Sequence, residues 1–212
     1  MEWFAQAPSN IALIKYMGKK DSTKNIPLNP SLSFTLKNLL SSVWLKTHSG
    51  QHDVWEPLNT PGSAPFELSK TAQTRYLNHL AWLKQQYGFK GSLIVRSSNN
   101  FPHSSGLASS ASSFAALTKC AALAFSELLG EPPRCTEDVA ALSRQGSGSS
   151  CRSFFAPWAL WDDEKVSAID LPYNDLIHQA IIISHKEKKI SSSQAHQKIQ
   201  TSPMYATREE QA

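Results

Sequence analysis

The sequence has 212 residues, of which 41% are hydrophobic, which is enough to bury a core as one large or two small domains. A net charge of +4 suits an anionic small substrate, and no long Lys/Arg cluster indicates a nucleic-acid surface. We expect no transmembrane helix, because no apolar run approaches the ~18 residues that a membrane span needs. The N-terminus lacks the basic region followed by an apolar region that is typical of a secretory signal peptide. The composition therefore predicts a cytoplasmic protein without nucleic-acid or membrane partners.

The three cysteines, Cys120, Cys135 and Cys151, are few and lack Cys-x-x-Cys spacing. This pattern argues against a disulfide framework and against a zinc site. Reduced thiols are also what the cytoplasm maintains, so the cysteines agree with the predicted location.

The first half of the chain predicts two strands with a helix between them. Val43–Ser49 alternates in part between apolar and polar residues, as a half-buried strand does. Ser69–Gly88 has helical spacing of apolar residues, with Ser69 as N-cap and Gly88 at the C-terminal end. Ser92–Arg96 is a short apolar strand.

The second half predicts two further helices and two further strands. A helix rich in Ala and Leu starts at Ala111 and is stopped by Gly130 and the prolines after it. Thr136–Gly146 forms another, with Thr136 as N-cap and acidic residues in its first turn. Strands are expected at Ser153–Trp161 and Gln179–Ser184, and helical residues from Ser191 onward. The mixture indicates an α+β fold.

One stretch, "NNFPHSSGLASSASSFAAL" from Asn99 to Leu117, combines many hydroxyls with few bulky groups directly before a helix. A helix N-terminus has unpaired N–H groups and a partial positive charge, and small residues let a phosphate approach them. The stretch is not a Walker A motif. Two interpretations stay open from the residues alone, a phosphate cradle and a helix whose small face packs tightly against a neighbour.

Two other stretches carry groups that bind anions. "APSNIALIKYMGKKD" places Lys15 and Lys19 beside Tyr16 and a glycine turn, and "GSGSSCRS" places small hydroxyl residues before Arg152. Arginine makes paired hydrogen bonds to carboxylates or phosphates. A solvated basic turn and a flexible turn with a surface arginine are the alternatives. Three such stretches in one chain favour an anion site.

These three stretches resemble motifs of the mevalonate diphosphate decarboxylases, members of the GHMP kinase superfamily. A fourth, "KKISSSQAHQ", resembles the family's Lys-Lys-Val-Ser-Ser segment more loosely, and has Gln-Ala-His where Gly-Met is expected. The resemblance implies a GHMP-kinase N-terminal fold with a left-handed βαβ unit, an exception to the usual right-handed crossover. It implies ATP and Mg²⁺ as cofactors and mevalonate 5-diphosphate as substrate. A homodimer is compatible with it.

The activity that the resemblance implies is ATP-dependent decarboxylation to isopentenyl diphosphate, with ADP, phosphate and CO₂ released. A related kinase that phosphorylates without decarboxylation, and a non-catalytic binding form, are the alternatives.

The resemblance also implies roles for individual residues. Lys15 lies beside the reacting centre, Arg152 grips the substrate carboxylate, and Ser191 or Ser192 lies near the reacting hydroxyl. Ser109 contributes to the metal site as well as to the phosphate loop. The substrate-binding residues implied are Tyr16, Lys19, Ser147, Ser149, Arg152 and Ser191, with Lys15, Arg152 and Ser192 as the catalytic ones. The ATP-binding residues implied are Pro102, Ser104, Ser105, Gly106, Leu107, Ala108, Ser109 and Ser110.

The family's catalytic aspartate lies in an Asp-Ala-Gly-Pro-Asn segment, which is absent from this sequence. The family chains are also longer. We therefore expect residues 1–185 to form the ATP- and substrate-binding domain and residues 186–212 to begin a truncated C-terminal domain, most of which is missing. A fragment of an ordinary enzyme is the favoured explanation, and a natural short form that binds ligand without turnover is the other.

Overall fold

The computed structural model describes residues 1–59, 67–102, 106–173, 175–179, 181, 195–196, 198–203 and 205. The strands are β1 (Glu2–Ile14), β2 (Lys19–Asp21), β3 (Ile26–Pro27), β4 (Ser31–His48), β5 (Val54–Pro57), β6 (Ser92–Asn99), β7 (Trp158–Asp162) and β8 (Lys165–Ile169). The helices are α1 (Lys70–Tyr87), α2 (Ser109–Leu129) and α3 (Thr136–Ser143), with 3₁₀ helices at Gly148–Phe154 and Ile199–Thr201.

A six-stranded mixed sheet is organised around β4. The sheet order is β5-β6-β4-β7-β8, and β1 also pairs with β4 in antiparallel fashion. Strands β5 and β6 are parallel and are joined through α1, which makes a βαβ crossover. The α+β architecture is confirmed, while the left-handed sense of that crossover stays a prediction.

The core lies between one face of the sheet and helices α1 and α2. In β1 the buried Trp3, Ala5 and Ala7 alternate with exposed neighbours, which is the period of a strand with one covered face. Along α2, small residues such as Ala115 and Ala121 are fully buried. Their small size lets the backbone of α2 approach the sheet closely. The N-terminus of α2 follows the loop after β6.

Helix α1 is confirmed together with its ends. The Ser69 hydroxyl accepts a hydrogen bond from the Ala72 N–H, and Gly88 takes the left-handed conformation. The predicted strand at Ser92–Arg96 is present and extends to Asn99, and that at Val43–Ser49 belongs to the longer β4.

Other predictions need correction. Cys135, rather than Thr136, occupies the N-cap of α3, and the helix ends at Ser143. The predicted strand at Ser153–Trp161 begins only at Trp158, because the residues before it finish a 3₁₀ helix and pass through the cis Ala156–Pro157 bond. Strands β1, β2, β3, β5 and β8 were not predicted.

Two predictions concern the end of the chain. The predicted strand at Gln179–Ser184 lies mostly outside the described residues, as does the predicted domain boundary after residue 185. Helical geometry after Ser191 is present at Ala195, His196 and Lys198.

Helix α2 also corrects the expectation about apolar runs. Its 21 residues are long and apolar enough to cross a membrane by length and composition alone. Because 67% of that stretch is buried inside the protein, α2 has the environment of a core helix packed on the sheet.

The buried His79 predicts a pH dependence of stability. Burial lowers its pKa to about 3, and its Nε2 lies 2.9 Å from the Thr118 hydroxyl. The unfolded chain therefore binds a proton at higher pH than the folded chain, so stability present above the unfolded pKa of ~6.5 is lost as pH falls toward 3. We expect a loss of about 1.4 kcal/mol per pH unit from this residue within that window.

Urea unfolding of the wild type and of His79→Gln, which keeps a hydrogen-bonding amide, at pH 6.5 and 4.5 measures this effect. The wild type should lose about 2–3 kcal/mol more than the variant between those values. Parallel pH dependences would contradict the assignment.

Candidate functional site

A cavity of about 500 Å³ opens where the end of β1, the start of α2 and the Gly146–Arg152 segment meet. The three stretches singled out in the sequence thus meet in one place. The predicted site residues that line the cavity are Lys15, Tyr16, Lys19, Gly106, Ala108, Ser109, Ser110, Ser147, Ser149 and Arg152. Pro102 and Leu107 are described but do not line it, and Ser104, Ser105, Ser191 and Ser192 lie outside the described residues.

The start of α2 forms one end of the cavity. Ala108 precedes the helix in a left-handed conformation (φ 53°), and Ser109 and Ser110 are its first two residues. The N-terminus of a helix carries a partial positive charge, which favours an anion at this end. The Ser110 hydroxyl lies 3.5 Å from that of Ser147, which brings the second hydroxyl-rich stretch to the same place.

Asn99 at the end of β6 and Asn100 in the loop before α2 form hydrogen bonds with β4. The Ser41 hydroxyl donates to the Asn99 side-chain oxygen at 2.6 Å, and it also lies 2.7 Å from the Ser112 hydroxyl. The Asn100 side-chain oxygen accepts from the Leu40 N–H at 2.7 Å. This end of the cavity is therefore tied to the sheet at its entry and in the first turn of α2.

Arg152 lies at the floor of the cavity and is only 4% exposed. Its guanidinium donates to the Ser31 hydroxyl and, at 3.2 Å, to the Asn10 side-chain oxygen, while its Nε has no partner among the described residues. None of the ion pairs within the described ranges involves it. Burial lowers the pKa of Arg152. A buried guanidinium whose Nε is unbonded and which has no ion pair among the described residues is suited to an anionic partner.

Tyr16 lines the same cavity as Arg152 and belongs to an aromatic group. Its ring packs edge-on against that of Trp161, with 4.8 Å between the ring centroids, and stacks on that of His196, with 4.7 Å between the centroids. Burial raises the pKa of Tyr16 to about 12, an effect that the charge of Arg152 opposes. The phenol therefore stays protonated at neutral pH and is a hydrogen-bond donor in the cavity.

Lys19 is held in place by a turn residue. Its Nζ donates to the Asn25 side-chain oxygen at 2.5 Å, and the Asn25 amide donates to the Arg144 carbonyl at 2.8 Å. Burial lowers the pKa of Lys19. Asn25 has a positive φ of 55°, a conformation that asparagine tolerates better than most residues.

The cavity has cations on several sides. Lys15, Lys19, Arg75 and Arg152 line it, and no Asp or Glu among the described residues does. The sequence analysis missed Arg75, Asn10, Asn25 and His196, all of which line the cavity. Asn10 lies inside the quoted "APSNIALIKY" stretch, so that motif could have indicated it. Arg75 comes from a separate segment and carried no local signal. His196 lies in the quoted "KKISSSQAHQ" segment, where it stood out only as a departure from the family pattern.

Gly148 predicts a steric test of the Tyr16 position. A Cβ at residue 148 would lie 2.6 Å from the Tyr16 hydroxyl oxygen but 3.5 Å from the next ring atom. We expect Gly148→Ala to lower the free energy of unfolding by about 1–3 kcal/mol, because the ring has to move.

Urea unfolding of the single variants and of the double variant Tyr16→Phe/Gly148→Ala checks this. The Phe ring removes the crowded oxygen, so the double variant should recover most of the loss. Additive effects of the two substitutions would mean that the contact is not the cause.

Comparison with known proteins agrees with this fold and cavity. A mevalonate diphosphate decarboxylase from Legionella pneumophila has 63% sequence identity, with a TM-score of 0.90 over 99% of this chain and 67% of that one. The solved "MDDEF in complex with MVAPP, AMPPCP and Magnesium" has 30% identity and a TM-score of 0.78, over 99% of this chain and 64% of that chain. A diphosphomevalonate decarboxylase of Saccharomyces cerevisiae is 30% identical, over 95% of this chain and 54% of its own.

The mixed sheet and its helices define a domain of the GHMP-kinase type. The family model described as the diphosphomevalonate decarboxylase-like N-terminal domain matches residues 7–170. The chain belongs to this family. It spans about half the length of the curated relatives that it matches.

Proposed function

We propose that the protein binds mevalonate 5-diphosphate and ATP for the ATP-dependent decarboxylation that yields isopentenyl diphosphate. The observation that carries the proposal is Arg152, a buried guanidinium at the floor of the cavity without a carboxylate partner among the described residues. A protein gains little stability from such a group, which suggests that a ligand supplies the partner. A substrate carboxylate matches the paired geometry of arginine.

The diphosphate end of the substrate is assigned to Tyr16 and Lys19, with Ser147 and Ser149 as further contacts. Tyr16 offers a protonated phenol and Lys19 an ammonium, and both line the cavity together with the two serines. These groups donate hydrogen bonds and attract negative charge, as a diphosphate requires. Lys15 is assigned to the region of the reacting hydroxyl. The proposed contacts of Ser191 and Ser192 rest on the sequence resemblance alone.

ATP fits the start of α2. The loop there is built from small residues, and the helix presents its first N–H groups beside the Ser109 and Ser110 hydroxyls. The solved relative that binds MVAPP, AMPPCP and magnesium supports a nucleotide and a metal ion in this domain.

Mg²⁺ also fits this donor set. No cluster of three His, Cys, Asp or Glu side chains occurs in the described part of the chain. Mg²⁺ bound mainly through substrate phosphates and water, with the Ser109 hydroxyl nearby, needs no such cluster. When bound, the ion would neutralise charge on the phosphates.

In this reaction the protein positions the substrates and stabilises charge, and it forms no covalent bond to them. The tertiary hydroxyl oxygen bonds to the γ-phosphorus of ATP while the bond to the bridging oxygen breaks and ADP leaves. The hydroxyl proton passes to a base, for which the described lining of the cavity offers no carboxylate. The step makes phosphate the leaving group, and phosphate leaves far more easily than hydroxide. Phosphate then departs with its bonding electrons, and the electrons of the breaking carboxylate C–C bond form the alkene and release CO₂. Arg152 orients the carboxylate until that bond breaks, and the lysines offset charge on the transferring group.

The test is release of ADP and of CO₂ from mevalonate diphosphate labelled in its carboxyl carbon, with ATP and Mg²⁺. Equal release of both supports the proposal. ADP without CO₂ would favour a kinase, and Arg152 beside the other anion-binding groups argues against that result. A folded protein that binds both ligands but releases neither product would be a binding module. No acidic residue among those described lines the cavity, so a protein that binds both ligands without turnover is the alternative that this test has to distinguish.

A further inference from the structure

His196 lines the cavity although the sequence analysis assigned it no role. It lines the wall next to Tyr16, from which it is separated by 180 residues of sequence, and its ring is partly buried. It belongs to the "SSSQAHQ" segment, where the family pattern would have Gly-Met. The imidazole is therefore a polar group where the family resemblance implies an apolar one.

The orientation of the His196 ring is fixed by one hydrogen bond. Its Nδ1 accepts from the Gly18 N–H at 3.0 Å, so the neutral ring carries its proton on Nε2. Gly18 has a φ of +93°, and a Cβ there would lie 2.7 Å from the Tyr205 ring. The N–H that selects the tautomer is thus itself held at a position suited to glycine.

Stacking restricts the ring further. The His196 and Tyr16 rings are 4.7 Å apart with an interplanar angle of 21°, and Tyr16 packs against Trp161. With Nδ1 hydrogen-bonded to the Gly18 N–H and one face of the ring stacked on Tyr16, the imidazole can use Nε2 to bind a ligand. Within the described part of the chain, the Gly18 N–H is the one hydrogen-bond partner of His196.

The charges around His196 favour an anion beside it. Burial lowers its pKa to about 4, and Lys19 and Lys15 contribute in the same direction. The ring is therefore neutral at physiological pH and provides a single N–H donor. An anion placed between these lysines and the ring would accept that hydrogen bond.

We propose that His196 is a further substrate-binding residue, whose Nε2–H donates to a phosphate oxygen of the diphosphate end beside Tyr16 and Lys19. The identity of that anion rests on the function proposed above. The contact itself rests on the fixed tautomer, the stack on Tyr16 and the position in the cavity wall.

The test uses the 212-residue chain and inorganic pyrophosphate, with affinity measured by isothermal titration calorimetry. His196→Phe keeps a flat ring on Tyr16 without the donor, and we expect its affinity to fall by about tenfold or more. His196→Gln can accept from the Gly18 N–H and still donate, so its affinity should stay within about threefold of the wild type. His178→Phe, at an exposed site, is the matched control and should change nothing.

A second readout does not depend on a variant that folds. In ¹⁵N-labelled wild type, the His196 signals should show the Nε2–H tautomer, and saturating pyrophosphate should shift the Nε2 resonance. A purely structural histidine would not respond. Wild-type affinity in His196→Phe, or an unmoved Nε2 resonance when pyrophosphate binds, overturns the role of His196 and leaves the proposed function standing. Failure of the wild type to bind pyrophosphate overturns both.

Discussion

We expect Arg152→Ala to lower kcat/KM for mevalonate diphosphate by an amount equivalent to about 2–5 kcal/mol. This is the usual cost of removing one partner of a buried charge pair. ATP affinity should change little, because the proposed nucleotide contacts are at the start of α2 and do not include Arg152. Steady-state kinetics with each substrate varied in turn, together with calorimetric ATP binding, measure the two effects separately.

Two comparisons make the Arg152 result specific. Arg152→Lys keeps the charge but not the planar pair of donors, so it should recover only part of the loss. Thermal unfolding should show the ligand-free alanine variant to be as stable as the wild type or more stable, because a buried charge without a counterion is removed. Equal weakening of both ligands would count against a carboxylate contact.

Ser109→Ala is expected to lower kcat by about 10-fold to 100-fold, because a hydroxyl beside the transferring phosphates is lost. Ser109 is the first residue of α2, is 8% exposed and lines the cavity. Initial-rate measurements over a range of ATP and Mg²⁺ concentrations would show the fall, with a larger Mg²⁺ requirement if the hydroxyl contributes to the metal site.

Ser126→Ala is the matched control for Ser109. This residue is buried in the same helix, 7% exposed, and is not among the residues that line the cavity. It removes a hydroxyl and changes helix propensity in the same way, so it should leave the rate unchanged. A Ser109 variant with the rate of the wild type would remove this residue from the phosphate loop.

The sequence predicted the elements whose signals are local. Helix α1 has its apolar spacing, its Ser69 cap and its Gly88 end within twenty residues, and all three are present. Strand β1 was missed because its exposed face carries the apolar Phe4, which obscures the alternation. The 3₁₀ helix at Gly148–Phe154 was missed because its small hydroxyl residues show no apolar periodicity and are therefore typical of a turn.

The candidate site was predicted as far as its motifs extend. Lys15, Tyr16, Lys19, Ser109 and Arg152 came from hydroxyl-rich or basic stretches, and the fold brings all of them to one cavity. That the guanidinium is buried without an acid among the described residues could not be predicted, since its partners Ser31 and Asn10 come from β4 and β1. The same holds for His196, whose neighbours in the cavity come from the opposite end of the chain.

Strand β4 has a consequence for how this protein tolerates changes in length. Ser31 near its start holds Arg152, and Ser41 ten residues later is bonded to the loop that leads into α2. One strand therefore sets the separation between the proposed carboxylate contact and the proposed phosphate contact. Because successive side chains of a strand alternate in direction, inserting one residue between these serines would turn one of them to the opposite face. Insertions there should abolish ligand binding even where point substitutions are accepted.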